Sequence, residues 1–375
     1  MFRRNAAARC RRDRSHVGRK RHDQFVAEVT ASPLFAKQAG LRYVSCSEPG
    51  IQRIKRGKAF VYRLPSGKLL RDATELERIR KLALPPAWRN VWICSSARGH
   101  LLATGIDARG RKQYRYHPQW RTVRDEAKYN DLATFGRKLP QLRRALDRDL
   151  ARPGLHRDKV LATVVAVMER TAVRVGNDRY TNDNGSYGLT TLLDRHARIA
   201  GGKVEFAFKG KGGKPYRARI ADRRLASIVK RCRDIPGQRL FQYLAPDGSY
   251  QAVSSSDVNG YLKRATGIDV TAKTFRTWTA TLLAAREFSA LAPAATEAGI
   301  KRQVNTVLAV VAHELGNTPA ICRKSYVDPR VVDAFVGERI ARAASSATRK
   351  AGLNAEECRL LAILDAAGEP ERRAA

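Results

Sequence analysis

The hydrophobic pattern changes its period at Pro118, and no one-layer architecture accommodates both halves. From about residue 40 to 117 the apolar residues come in short runs, LRYVSCS, KAFVYRL, NVWICSS, HLLATGID and KQYRYH, set apart by Gly, Pro and Ser-Gly turns. Such runs between turn signals predict strands, with one helical piece at ATELERIRKLAL. Beyond Pro118 long amphipathic segments take over. In VLATVVAVMERTAVRVG the residues Leu161, Val164, Met168, Ala172 and Val175 recur at helical spacing, and Gly176 is the expected stop. KVEFAFK and KPYRARI alternate apolar and polar residues around GKGG, which predicts a β-hairpin inserted among helices. DVNGYLKRATG and QVNTVLAVVAHEL continue the helical pattern, and no internal repeat is present. The expected fold class is α+β. Residues 1–30 read as a basic arm, 31–118 as a small β-rich domain, 119–360 as a larger helical domain with a β insert, and 361–375 as a tail.

Charge narrows the partners. Lys plus Arg number 72 against 35 Asp plus Glu, a net charge of +37 with a sequence pI near 10.8. Such a field attracts polyanions, above all a phosphate backbone. An acidic membrane is the rival surface, but no stretch approaches the ~18 consecutive apolar residues of a spanning helix. The N-terminal MFRRNAAARCRRDRSHVGRKRHDQF has many arginines and no apolar core of a secretory signal, so it reads as an arm that adds non-specific affinity for nucleic acid. The six cysteines are scattered without CxxC or Cys/His zinc spacing and read as free thiols of a reducing compartment. GKGGKPY lacks the spacing of a phosphate loop, so no nucleotide cofactor is expected. No carboxylate cluster predicts a metal site.

The chemistry concentrates in GNTPAICRKSY, residues 316–326. Gly316 closes one helix, and Thr318-Pro319 opens the next, because threonine caps free amides and proline tolerates the first helical position. That helix ends on Tyr326, preceded by Arg323 and Lys324. A tyrosine that attacks a phosphodiester needs cations on the non-bridging oxygens, where negative charge gathers, and arginine grips two oxygens at once. Arg174 in AVRVGNDRY, Lys211 at the GKGG turn and Arg276 in KTFRTW are candidates, each of which alone would read as a solvated charge.

Taken in order, VRVGNDRY followed by GLTTL, the KxxR of KTFRTW, GNTPAICRKSY and the β-lobe GIDARGRKQYRYHPQW resemble the type IB DNA topoisomerases, specifically the small bacterial and poxvirus-like branch. The resemblance covers most of the chain from about residue 40. It implies a two-lobed clamp around double-stranded DNA, acting as a monomer in the cytoplasm on nucleoid DNA, with no cofactor, no metal and no membrane. It also implies Tyr326 as nucleophile, Arg174 and Arg276 as clamps on the phosphate, Lys211 as general acid and Lys273 as its assistant. Asn317 stands where many members carry histidine; an amide can donate a hydrogen bond to phosphate but cannot shuttle a proton. His313, one helical turn earlier, reads as a helix-end histidine. Gln113, Tyr114 and Tyr116 match DNA-contacting residues of the family, as does Tyr180, and alternation puts Tyr114 and Tyr116 on one strand face. Two rival readings remain at this stage, a tyrosine recombinase and an architectural DNA-binding protein. KxxR in place of HxxR, together with the β lobe, favours the topoisomerase.

Overall fold

The computed structural model describes residues 33–57 and 59–368, apart from some helix side chains. The expected basic arm and residues 369–375 lie outside the described residues. Two compact units part between Lys128 and Tyr129.

The first unit is built on a five-stranded antiparallel sheet of β1 (Ile51–Arg56), β2 (Ala59–Arg63), β3 (Arg89–Ile93), β4 (Leu101–Ile106) and β5 (Lys112–Tyr116), in the order β2-β1-β3-β4-β5. The helix Ala73–Lys81 carries Ile79 into a core with Ile51, Val91, Ile93 and Ala103. Its N-terminus is capped by Asp72, whose carboxylate accepts from Glu75 N. LRYVSCS is not a strand. Residues 41–47 hold only an isolated bridge, Arg42 to Gly99, because Glu48 accepts from Ser45 N and curls the segment into a local turn. The strand in its place is IQRIKR, whose charged residues mask a register that pairs Ile54 with Val61 and Ile51 with Ile93.

The second unit is mostly helical. The helix Pro118–Ala151 brings the chain into it, and the helix Arg157–Thr171 is buried on every side from Lys159 to Met168. That helix stops at Thr171, not at Gly176. Ala172 takes a left-handed cap (φ 49°), and the next residues run extended so that Arg174 O and Val175 O accept from Leu189 N and Thr190 N. Tertiary hydrogen bonds override a helical pattern that ran on in the sequence.

The two alternating runs become β7 (Lys203–Lys209) and β8 (Pro215–Ala221), paired antiparallel across the Gly210–Lys214 turn, with β6 (Ala197–Ala200) added on the far edge of β7. Val204, Phe206 and Phe208 alternate inward from β7. The helices Ser255–Thr266, Ala272–Ser289, Glu297–Leu315, Pro319–Ser325 and Pro329–Val336 follow. Phe275, Phe288 and Phe335 lie among their largest buried side chains. The final helix, Ala355–Gly368, runs through the boundary expected at residue 360 and buries Leu361, Ile363 and Leu364. Among the described residues no helix is long and apolar enough to cross a membrane.

Candidate active site

Thr318 and Pro319 do what their positions in the sequence call for: the threonine hydroxyl accepts from Ile321 N, and proline fills the first turn. The short helix ends at Tyr326, whose backbone leaves the helical region (φ −134°, ψ −33°). Its carbonyl accepts from the buried Thr281 hydroxyl at 3.2 Å, and the Thr281 hydroxyl oxygen in turn accepts from Asp328 N at 3.1 Å. The nucleophile candidate is therefore gripped from the helix Ala272–Ser289, the one that carries Lys273 and Arg276.

Arg276 is only 3% exposed. Its Nη2 donates to Leu315 O at 2.8 Å, at the negative end of the helix Glu297–Leu315, and its Nη1 donates to Ala172 O. The early helix end at Thr171 thus has a use, since it presents the Ala172 carbonyl to this guanidinium. Nε of Arg276 is buried with no partner, and the guanidinium carbon lies 5.2 Å from the centroid of the Tyr326 ring.

Arg174 donates from Nη2 to Asn317 Oδ1 at 2.6 Å. An all-donor guanidinium takes the amide oxygen, so the nitrogen end of Asn317 is left over, and Nδ2 is buried without a hydrogen-bond partner. Burial lowers the Arg174 pKa, and the neighbouring charge of Arg276 lowers it further. Arg174 is held by a close backbone approach, in which a Cβ on Gly188 would stand 2.5 Å from Gly176 Cα and N. This is the structural content of the GLTTL motif.

Burial pushes the Tyr326 phenol up, but Arg276, Arg174 and Lys273 pull it down by more, and its pKa falls below the ordinary 10.0. Lys273 is exposed on the first turn of its helix. Lys211 is exposed on the turn between β7 and β8 and has no partner among the described residues. The structure thus gathers Arg174, Arg276, Asn317 and Tyr326, sets Lys273 within electrostatic reach, and leaves Lys211 outside the cluster. His313 is a helix-end residue with an 89% exposed side chain, 3.7 Å from Glu314. Tyr180 falls on the helix Asp178–Asn184, and its side chain lies outside the described residues. Gly188 stands in the GLTTL motif that the sequence marked, whereas Thr281 and Asp328 were not singled out by it. Only Asp328 left a signal there, an acidic residue before proline at a helix start.

In the first unit Tyr114 and Tyr116 share a face of β5, their rings stacked at 6.0 Å and 10°, partly packed on Val44, Cys94 and Leu101. Gln113 on the other face donates to Asp107 Oδ2 at 2.8 Å. Desolvation pushes the Asp107 carboxyl up, but hydrogen bonds from Arg111, Gln113 and Arg109 bring it to about 2. Among the described residues no group of three or more His, Cys, Asp or Glu could hold a metal ion.

Residues 117–346 match the family model of the eukaryotic DNA topoisomerase I catalytic core, and residues 59–107 match that of the bacterial DNA topoisomerase IB N-terminal domain. The chain is 31% identical over 285 residues to DNA topoisomerase 1B of Acanthamoeba polyphaga mimivirus, covering 74% of this chain and 85% of that protein. It is 24% identical over 239 residues to DNA topoisomerase 1 of rabbit fibroma virus, covering 62% and 71%. Against DNA topoisomerase 1B of vaccinia virus it is 19% identical over 236 residues, covering 62% and 72%. With a catalytic-core match over more than half its length and a relative at that identity, this chain belongs to the type IB DNA topoisomerases.

Proposed function

We propose that Tyr326 is the nucleophile with which this topoisomerase cuts one strand of duplex DNA. The observation that carries the reading is a phenol of lowered pKa held against the Arg276 guanidinium. The phenolic oxygen attacks the phosphorus, the bond to the 5′-oxygen breaks, and a 3′-phosphotyrosyl ester forms. Arg174 and Arg276 neutralise the charge that gathers on the non-bridging oxygens, and the unpartnered Nε of Arg276 and Nδ2 of Asn317 are donors held in reserve for it. Asn317 acts as a donor alone. Lys211 delivers a proton to the departing 5′-oxygen, assisted by Lys273, once bound DNA draws the exposed turn inward.

Because one ester replaces another, the phosphodiester energy is kept, and the 5′-hydroxyl reseals the strand by the reverse attack. Between the two steps the free end swivels and supercoils are released, a cycle whose balance calls for neither nucleotide hydrolysis nor a metal. Gln113, Tyr114, Tyr116 and Tyr180 contact the duplex, and the two units of a single chain close around it as a clamp, in the nucleoid.

Relaxation of a supercoiled plasmid in the presence of EDTA tests the reading directly. A ladder of relaxed topoisomers, a denaturation-stable protein–DNA adduct mapped to Tyr326, and loss of both in Tyr326→Phe with duplex binding retained are expected. An adduct on another residue, or relaxation by Tyr326→Phe, overturns the assignment.

A further inference from the structure

We propose that Tyr216 is a positioning residue for Lys211, fastening the strand behind the Lys211 turn to the stretch of chain on which the arginine clamp is built. The inference rests on the reading of Lys211 as general acid. Lys211 itself is exposed and unpartnered among the described residues, so its placement depends on whatever fixes the base of its turn.

That base is Tyr216. It faces Phe208 across the ladder, one rung behind the Lys209–Pro215 pair from which the turn departs, with the two rings 5.1 Å apart. Its hydroxyl donates to Thr171 O at 2.6 Å. The next residue, Ala172, gives its carbonyl to Arg276 Nη1, and two residues later Arg174 reaches Asn317. The strand that leads to the proposed acid and the two arginines are thus tied within four consecutive residues, Thr171–Arg174. A second tie, Tyr187 N to Lys209 O at 2.8 Å, holds the other strand of the turn. Burial raises the Tyr216 pKa above 10.0, only partly offset by the Thr171 side chain and by the charges of Arg276 and Arg174. The phenol therefore stays a neutral donor at working pH, its proton committed to Thr171 O, and its influence on the reaction passes through Lys211.

The test uses two DNA substrates that differ in one atom, an oxygen or a sulfur at the 5′-bridging position of the cleavage site, with cleavage followed under single-turnover conditions. A thiol is acidic enough (pKa ~8.5) to depart without being protonated, so sulfur removes the need for a general acid. Tyr216→Phe keeps the ring against Phe208 and removes only the hydroxyl. It should cleave the oxygen substrate about 10-fold more slowly and the sulfur substrate within about twofold of the unmodified protein. The double variant with Lys211→Ala should be no slower on oxygen than Lys211→Ala alone, as for two residues acting on one step. Equal losses on both substrates, or additive losses in the double variant, would overturn the positioning role while leaving Lys211 in place. If Lys211→Ala is itself not recovered by sulfur, the general-acid reading falls, and the inference about Tyr216 falls with it.

Discussion

The Arg276 guanidinium stands 5.2 Å from the centre of the Tyr326 ring while both its Nη groups are spent on the carbonyls of Ala172 and Leu315. It is a fixed charge, set between the end of one helix and the terminus of another before any DNA arrives. Preorganised charge of this kind stabilises a phenolate and a phosphorane without reorganisation at the moment of reaction.

The first consequence is a titration. In the free protein the Tyr326 phenol should ionise below 10.0, because Arg276, Arg174 and Lys273 favour the anion by more than burial opposes it. The sign is fixed by charge, so removing any of these cations destabilises the phenolate and moves the midpoint up. Tyrosinate absorbance of the protein minus that of Tyr326→Phe reads the midpoint. Arg276→Gln should raise it more than Lys273→Gln, and a midpoint unmoved by Arg276→Gln would remove the electrostatic account.

Arg276→Ala should slow single-turnover cleavage by at least about 10²-fold, the loss seen when one transition-state donor is deleted. It should also destabilise the unit, since two carbonyls lose a charged donor, each bond being worth about 1.5–3 kcal/mol. Measuring cleavage well below the melting temperature separates the two effects. A rate within a few-fold of the unmodified protein would reduce Arg276 to a structural tie.

The sequence made Tyr326 legible because the residues around it obey local rules: a glycine stop, a threonine cap and proline at the first turn are all readable within a dozen positions. The β7–β8 ladder was legible for the same reason, with strict alternation on both sides of a glycine turn. What stayed hidden was set by distant partners. Ala172 and Val175 fit a helical stripe, yet the helix ends at Thr171 because Ala172 O is needed by Arg276 and Val175 O by Thr190. IQRIKR was passed over because its charged residues mask the pairing of Ile51 and Ile54 in the sheet. Thr281 is a threonine in mid-helix with nothing in its neighbourhood to announce that it holds the Tyr326 carbonyl.

Gly188 has an extended backbone that any residue adopts, so its constraint is purely one of space. A Cβ there would meet Gly176 Cα and N at 2.5 Å and Arg174 O at 2.7 Å, all backbone that cannot step aside without moving Arg174. Gly188→Ala should therefore cost about 1–3 kcal/mol as overpacking and reduce cleavage as well. Gly260 supplies the contrast: it lies within the helix Ser255–Thr266, with Arg264 Nη1 as the nearest neighbour of a Cβ at 3.7 Å. Gly260→Ala should stabilise by about 0.5–1 kcal/mol with unchanged cleavage. Denaturant midpoints and single-turnover rates on both variants check the pair.

Two residues beyond Tyr326, Asp328 is completely buried and grips Arg330 with both oxygens, at 3.0 Å to Nε and 2.7 Å to Nη2, while Nη2 reaches on to Tyr129 O at 2.6 Å. The same residue caps the helix Pro329–Val336 and donates its own N–H to Thr281. Asp328→Ala strands a guanidinium that is only 22% exposed, and removal of one partner from such a pair should cost about 3–5 kcal/mol. Replacing both partners, Asp328→Ala with Arg330→Met, removes the stranded charge and should recover part of that loss in urea unfolding with an unchanged m-value. Cleavage should not recover with it, because the cap that fixes the chain after Tyr326 is still missing. If the double variant regains both stability and rate, Asp328 serves the fold alone and Tyr326 is positioned by Thr281 without its help.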